Sequence, residues 1–196
     1  MPLTKINTRS LSGSLVSGQV PATAIDASTL PAGTIVQTQI GTINAQVASS
    51  SNTAYTATGL IVSITPTSTS NRLHIHFDAK SYLNNSSAVS AFNYGIYRKI
   101  GSGSMSPWKA GSGWDHYMNT GGYQHDFYPH VSYIFFDTPS TTQQVQYEIY
   151  IKSYSASGGV TTAFPTNMGT LGDTSYSPGM SSMIDRGTLI AQEIKL

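Results

Sequence analysis

The sequence predicts an all-β fold, a β-sandwich of jelly-roll kind that is preceded by an extended N-terminal arm. From Gly33 onward, apolar and polar residues alternate over short segments, and clusters of Gly, Pro, Ser and Thr separate these segments. No apolar stripe of helical period extends over a window of about 11 residues. Because alternation places every second side chain on one face of a strand, these observations indicate stacked sheets with one buried face each.

Residues 1–31 differ from the rest of the chain. They mix Ser, Gly and Pro with isolated apolar residues that are too sparse to form a core. We therefore predict a docking arm that becomes ordered on a partner's surface, followed by a β-sandwich domain over residues 32–196. A leader without a partner is the alternative. The arm residues predicted to contact the partner are Leu3, Ile6, Leu11, Leu15 and Val20.

Alternation predicts the strands of the sandwich domain. The clearest case is Leu73, Ile75 and Phe77, which point one way while the polar residues between them point the other way. Residues 131–137 instead carry apolar side chains on both faces, so this strand is either central in its sheet or covered on its outer side by another subunit. The other predicted strands lie at 34–40, 59–64, 91–98, 145–152 and 188–195.

Two inserts, residues 100–130 and 153–187, are longer than a hairpin connection needs, and long connections are often functional. The first insert is rich in aromatic residues beside polar ones. Because the flat C–H faces of sugars stack on Trp and Tyr, a surface glycan is a candidate ligand. Alternatively, these aromatic side chains fill an interface with another protein subunit. The candidate glycan-binding residues are Trp108, Trp114, Tyr117 and Tyr123.

The composition limits the function classes. The chain carries 10 basic and 9 acidic residues, so its formal charge of +1 gives no field that attracts nucleic acid or an anionic membrane. It contains no cysteine, which excludes disulfides and thiolate metal sites. Neither a signal peptide nor a membrane-spanning segment is predicted, so we expect assembly in a cytoplasm without membrane insertion.

No catalytic motif occurs in a usable context, and we predict neither enzyme activity nor a cofactor. Asp115 and Asp126 form an acidic pair in the first insert, but nothing in the sequence brings them together as glycoside hydrolysis requires. His74 and His76 lie on one strand face, about 7 Å apart. They are weak candidates for metal ligands, because one chain supplies too few ligands unless symmetry brings several copies together.

Three segments resemble a β-sandwich module of tail-fibre and other virion proteins of tailed phages, especially phages of cyanobacterial and marine hosts. They are residues 58–73 (TGLIVSITPTSTSNRL), 136–142 (FDTPSTT) with the strand that follows, and 185–194 (DRGTLIAQEI). The resemblance implies a homotrimer that serves host attachment or capsid decoration, with baseplate, tail or capsid proteins as partners. The chain has no long shaft or coiled-coil segment of the kind found in a long fibre.

The sequence as a whole therefore predicts a structural protein of a tailed-phage virion. In the favoured interpretation, a trimeric tail-fibre or attachment protein docks by its N-terminal arm and binds the host surface through its loops. The first alternative is a capsid decoration protein that stabilises the head, and the second is a carbohydrate-binding domain. The sequence leaves tail and head locations open.

Overall fold

The computed structural model describes residues 30–43, 47–49, 53–85, 89–110, 116–119, 125–127, 129–155, 161–164 and 187–196. Within these ranges the regular structure is all β, and no helix is long and apolar enough to cross a membrane. The strands are β1 (Ile35–Ile43), β2 (Val47–Ser49), β3 (Thr56–Ile64), β4 (Arg72–Lys80), β5 (Tyr82–Asn85), β6 (Val89–Ile100), β7 (Ser106–Ala110), β8 (His116–Asn119), β9 (His125–Phe127), β10 (His130–Asp137), β11 (Val145–Ser155), β12 (Thr161–Phe164) and β13 (Gly187–Ile194).

Eight of these strands form two antiparallel main sheets. The first sheet has the order β1-β13-β4-β10, and the second has the order β3-β11-β6-β7, with β8 also paired to β6. The pairs β1–β13, β3–β11, β4–β10 and β6–β7 are nested along the chain, as in one long hairpin that has been rolled up. This is the strand order of a jelly roll, so the predicted fold class is confirmed.

A third sheet, which we call the cap sheet, closes one end of the sandwich with the order β2-β12-β5-β9. Its strands come from the four connections β1–β3, β11–β13, β4–β6 and β7–β10, and they pair with one another. The segment predicted as a first insert, 100–130, thus contains β7, β8 and β9. The second, 153–187, contains the end of β11 and β12, whereas residues 156–160 and 165–186 lie outside the described part of the chain.

The core lies between the two main sheets, where the predicted alternation is confirmed. On β4, Leu73, Ile75 and Phe77 are fully buried, and β13 adds Leu189 and Ala191. From the second sheet the inward residues are Leu60, Val62, Ile64, Phe92, Tyr94, Ile96, Val145, Tyr147, Ile149 and Ile151. Every one of the seven predicted strands is present, with ends that differ by a few residues.

Among the described strands, β10, which has apolar residues on both faces, is an edge strand of the first sheet. Of the two predicted explanations, a central position is therefore wrong. Val131 faces inward and is buried, while Ile134 and Phe136 face outward and are exposed. Covering by another subunit remains a prediction.

The opposite edge of the first sheet packs closely on the second sheet. A Cβ atom at Gly41 of β1 would lie 1.9 Å from the carbonyl oxygen of Ile61 on β3. Any side chain at position 41 would therefore push the strands apart, so glycine is what allows the sandwich to close along this side.

Candidate functional site

The outer face of the first sheet carries exposed apolar side chains. The strand register places Ile40, Ile190 and Ile134 in one row across the sheet, with His76 of β4 between the last two. Ile40 is 61% exposed and Ile134 is 59% exposed, whereas the solvent face of an antiparallel sheet is ordinarily polar. Together with Phe136, which is 55% exposed, these three isoleucines form what we call the apolar patch.

A second row of side chains holds Phe136 in place. Gln192 Nε2 donates a hydrogen bond to Thr38 Oγ1 over 3.3 Å, and His74 Nδ1 donates to Gln192 Oε1 over 3.0 Å. The His74 ring stacks on Phe136 with centroids 5.3 Å apart, and the Arg72 guanidinium carbon lies 5.6 Å from the Phe136 centroid. Phe136 is therefore flanked by two side chains of β4 while more than half of it stays exposed.

Polar groups border the patch on the side of the cap sheet. His76 Nε2 lies 3.0 Å from Ser132 Oγ, and His130 Nε2 lies 3.0 Å from Asp78 Oδ1. Both contacts join exposed side chains, where such contacts contribute little to stability. An apolar centre with a polar border is typical of a protein interaction surface.

On the outer face of the second sheet, a cluster of aromatic rings is packed against the chain's own side chains. Tyr97 and Tyr150 stack with centroids 3.8 Å apart, and Tyr55 packs edge-on against Tyr97 at 5.9 Å. Tyr55 Oη donates to Asn93 Oδ1 over 2.6 Å, and Lys152 Nζ lies 4.8 Å from the Tyr55 centroid. Burial raises the pKa of Tyr97 and of Tyr150. The aromatic rings on this face are thus engaged with one another and with neighbouring polar groups.

A glutamate lies on this same face of the second sheet. Glu148 is 9% exposed, and one of its carboxylate oxygens accepts a hydrogen bond from the Gly59 backbone over 3.2 Å. Burial raises the pKa of Glu148, and the Gly59 hydrogen bond and the Lys99 charge offset this effect only in part. The charged form of Glu148 is therefore disfavoured by folding.

Trp108, one of the predicted glycan-binding residues, lies on β7 and packs against the core. Its indole centroid is 5.5 Å from that of Tyr147 and 6.2 Å from that of Phe135. Two cations lie beside the same ring, with Arg98 Cζ at 5.7 Å and Lys109 Nζ at 5.4 Å. The half-buried indole thus contributes to packing at the edge of the sandwich, and its glycan-binding role stays a prediction.

A buried carboxylate next to Trp108 links the two main sheets. Arg98 Nη1 donates to both oxygens of Asp137, over 2.8 and 2.7 Å, and Tyr147 Oη donates to Asp137 over 2.6 Å. Burial and the hydrogen bond to Asp137 raise the pKa of Tyr147, so the phenol stays protonated and remains a donor. Because Asp137 is on β10 and its partners are on β6 and β11, the network joins the layers.

A second buried carboxylate fixes the end of the sandwich opposite the cap sheet. Glu193, which is 0% exposed, accepts hydrogen bonds from Thr67 N and Asn71 Nδ2, both over 2.7 Å, and from Gln37 Nε2 over 2.6 Å. Burial disfavours the charge on Glu193, but these hydrogen bonds outweigh it and hold the pKa below its ordinary value. Glu193 thereby ties both β1 and the β3–β4 connection to β13.

Several predicted site residues lie elsewhere. Tyr117 is on β8, where its backbone pairs with Ala91, and its side chain is outside the described set. His74 and His76 share one face but have separate hydrogen-bond partners, and no group of three or more possible metal ligands occurs among the described residues. Outside the described residues lie Trp114, Asp115, Tyr123, Leu3, Ile6, Leu11, Leu15 and Val20.

Sequence reasoning identified only half of the apolar patch. The two-faced pattern of 131–137 indicated Ile134 and Phe136, but Ile40 and Ile190 were not singled out. The available signal was their position in the alternation, since Ile190 lies between the inward residues Leu189 and Ala191. The register that aligns β1, β13, β4 and β10 is needed to bring all four side chains together.

No protein-family model matches the chain, and no curated protein matches it. Among solved structures, it is similar to infectious bursal disease virus, Gx strain, with 16% identity and a TM-score of 0.35 over 88% of this chain and 42% of that chain. It is also similar to the VP2 subviral particle of the same virus, with 16% identity and a TM-score of 0.35 over 83% of this chain and 38% of that one. The chain thus spans about two fifths of these proteins. The strand order described above, and not these scores, identifies the jelly roll.

Proposed function

We propose that the chain is a structural protein of a virion, and that its activity is binding. The observation that carries this proposal is the apolar patch, which lies on the outer face of a sheet in a jelly roll whose core is already filled. Jelly rolls are common among viral capsid and lectin domains, so the fold is compatible with this function. Exposure of apolar side chains to water is unfavourable, and this cost is removed when other subunits cover the patch.

The size of the patch favours a repeated assembly over a free partner. Covering a half-exposed Ile or Phe contributes on the order of 1 kcal/mol. Three such side chains do not offset the roughly 4–15 kcal/mol that association costs in lost freedom. The patch therefore supports binding where further contacts hold the same partner nearby, as in a particle with many copies.

The resemblance to tailed-phage virion modules supports the same function. Two of the segments that carry it, 58–73 and 185–194, meet at Glu193, whose carboxylate accepts hydrogen bonds from Thr67 and Asn71. The segments that resemble the phage module thus supply the hydrogen bonds that fix one end of the sandwich. The finer proposal is a tail-fibre or attachment protein, in which the long connections at the cap sheet reach the host surface.

Capsid decoration is the second candidate function, and the apolar patch favours it. A patch on a sheet face suits lateral packing on a shell, whereas an attachment tip binds through its loops. In both cases we expect a homo-oligomer, with a trimer as the predicted state, and other virion proteins as partners.

An antibody against the chain, used to label purified virions for electron microscopy, tests the proposal. Label at the tail end would support attachment, and label spread over the head would support decoration. Absence of label from every particle, with the chain detected by the same antibody in lysate, would overturn the virion function.

A further inference from the structure

We infer that the apolar patch is the docking site for residues 1–29 of a neighbouring copy of this chain. The inference rests on the proposed virion function, and it names the partner that covers the patch. Four observations carry it: where the arm enters the fold, how far it reaches, what its side chains are, and which edge of the sheet is free.

The arm enters the fold at the first sheet. Lys195 Nζ donates a hydrogen bond to the Leu30 carbonyl over 2.5 Å, and the backbones of Gly33 and Thr34 pair with Lys195 over 2.7 and 2.9 Å. These contacts fix the start of β1 beside the end of β13. The segment upstream of Leu30 therefore starts at an edge of the sheet that carries the patch.

The arm is long enough to reach a neighbour. Adjacent strands lie about 4.8 Å apart, so the four strands of the first sheet span roughly 14 Å. Twenty-nine residues in extended conformation reach up to about 95 Å. The arm can thus cross its own sheet and still lie along the sheet of an adjoining copy.

The composition of the arm matches that of the patch. Single apolar residues recur along the arm between Ser, Gly, Thr and Pro, and residues 1–29 contain few charges. The patch likewise presents single apolar side chains, and the groups beside them include neutral Thr38 and Gln192 as well as the cation Arg72, whose guanidinium lies over Phe136. A partner rich in charge would leave charges unpaired against the neutral groups.

The free edge of the first sheet argues for a neighbouring copy. The arm enters at the β1 edge, whereas Ile134 and Phe136 lie on β10 at the opposite edge. Among the described residues, β10 pairs with β4 alone, and its eight residues contain neither Pro nor Lys to protect an edge. A contact that joins the arm of one copy to the far edge of the next is heterologous, and heterologous contacts close into rings, such as the predicted trimer, when the rotation between copies allows it.

The absence of cysteine from the chain allows a direct test by disulfide cross-linking. One tagged chain carries Ile134→Cys, and a second chain with a different tag carries Leu11→Cys, Leu15→Cys or Val20→Cys. The two chains are co-expressed and assembled at full length, then oxidised. A disulfide between the two tags is intermolecular by construction. We expect at least one of the three arm positions to cross-link in more than half of the chains.

A matched control replaces Ile134→Cys by Ser63→Cys, which lies on the outer face of the second sheet. We expect at least tenfold less cross-linking to the arm from position 63. Cross-links between two copies of position 134 would overturn the inference, since a second sheet face would then cover the patch. Cross-linking that is absent, or that is equal from positions 134 and 63, would also overturn it.

The two proposals fail separately. If virions carry the chain but the arm does not cross-link to position 134, the docking inference is wrong and the virion function stands. If no virion carries the chain, the virion function is wrong whatever the cross-linking shows.

Discussion

The outer faces of the two main sheets differ in what covers them. On the second sheet, Tyr55 lies against Gly95, where a Cβ atom would be 3.0 Å from the tyrosine ring, and it packs on Tyr97. On the first sheet, Ile134 and Phe136 are more than half exposed, and no described segment of the chain covers them. The chain thus covers the aromatic rings of one outer face with its own side chains, whereas the apolar side chains of the other face stay exposed within the described residues.

Each sheet also contains a buried glutamate, and folding changes the pKa of the two in opposite directions. Glu193 in the first sheet is surrounded by donors, and its pKa is lowered. Glu148 in the second sheet is buried with fewer donors, and its pKa is raised. Substitutions of the two glutamates and of residues on the outer faces therefore test whether the first sheet binds a partner and the second sheet does not.

The largest effect is expected from Ile134→Ser combined with Phe136→Ser. Ile134 and Phe136 are half-exposed in the single chain and are covered by the partner in the proposed assembly. Their loss should weaken the free energy of each contact by about 2 kcal/mol, which is roughly 30-fold in affinity. Sedimentation velocity of the full-length chain should show this loss of self-association, and the melting temperature should stay near that of the parent. Ile61→Ser on the second sheet is the control, since Ile61 is also exposed, at 37%. Equal association of the double variant and the parent would remove the difference between the faces.

Glu193→Gln should give the next largest effect, a loss of about 1–3 kcal/mol in the free energy of unfolding. The amide offers one acceptor oxygen where the carboxylate accepts hydrogen bonds through both oxygens, so at least one donor is left without its partner. Urea denaturation at neutral pH measures the loss. An unfolding free energy within about 0.3 kcal/mol of the parent would show that the network contributes little.

The pH dependence of this variant follows from the lowered pKa. The stability that Glu193 contributes is fully present above the pKa of an unfolded glutamate, about 4.3, and is lost as the pH falls through the lower folded value. The difference between parent and Glu193→Gln should therefore shrink on acidification below about pH 4. A difference that grew in this range would contradict the direction of the shift.

Tyr55→Phe should destabilise the chain by about 1 kcal/mol. The substitution keeps the ring over Gly95 but removes the hydroxyl that donates to Asn93, which is 3% exposed. Thermal unfolding measures the effect, and Tyr150→Phe is a control on the same face. Self-association should not change, because the second sheet is covered by the chain itself. A change in self-association as large as that of the first-sheet double variant would show that the outer faces of the two sheets do not differ in binding.

The smallest effect, with the opposite sign, is expected from Glu148→Gln. Because folding raises the pKa of Glu148, its stability contribution decreases as the pH rises from the unfolded pKa through the raised folded value. A neutral side chain avoids this loss, and its amide oxygen can still accept from Gly59. We expect a gain of a few tenths of a kcal/mol at neutral pH that vanishes in acid. Destabilisation of the size seen for Glu193→Gln would show that the two glutamates act alike.

Alternation predicted most of the sandwich, because each main strand buries one face. The order of the eight strands, and hence the register that assembles the apolar patch, depends on pairings between residues far apart in sequence, such as Ile190 with His76. Strand β7 was missed because Ser106–Ala110 contains Pro and has one half-buried residue, Trp108, in place of alternation. The cap sheet was missed because its short strands pair only with other connections.

The buried polar networks could not be predicted for a related reason. Glu193 falls in the alternating segment 188–195 at an inward position, where an apolar residue is expected. Its donors come from β1 and from the connection that precedes β4, so its hydrogen bonds exist only after three distant segments have come together. The arm and the residues Trp114 and Tyr123 remain predictions from sequence.

The most direct test of the central claim measures how accessible the first sheet is in the assembled particle. Ile134→Cys and Ile61→Cys, each made in the cysteine-free chain, are labelled with a maleimide in isolated virions and in the dissociated protein. We predict that assembly slows labelling at position 134 by about tenfold or more, and leaves labelling at position 61 nearly unchanged. Labelling at position 134 that is equally fast in both states would contradict it.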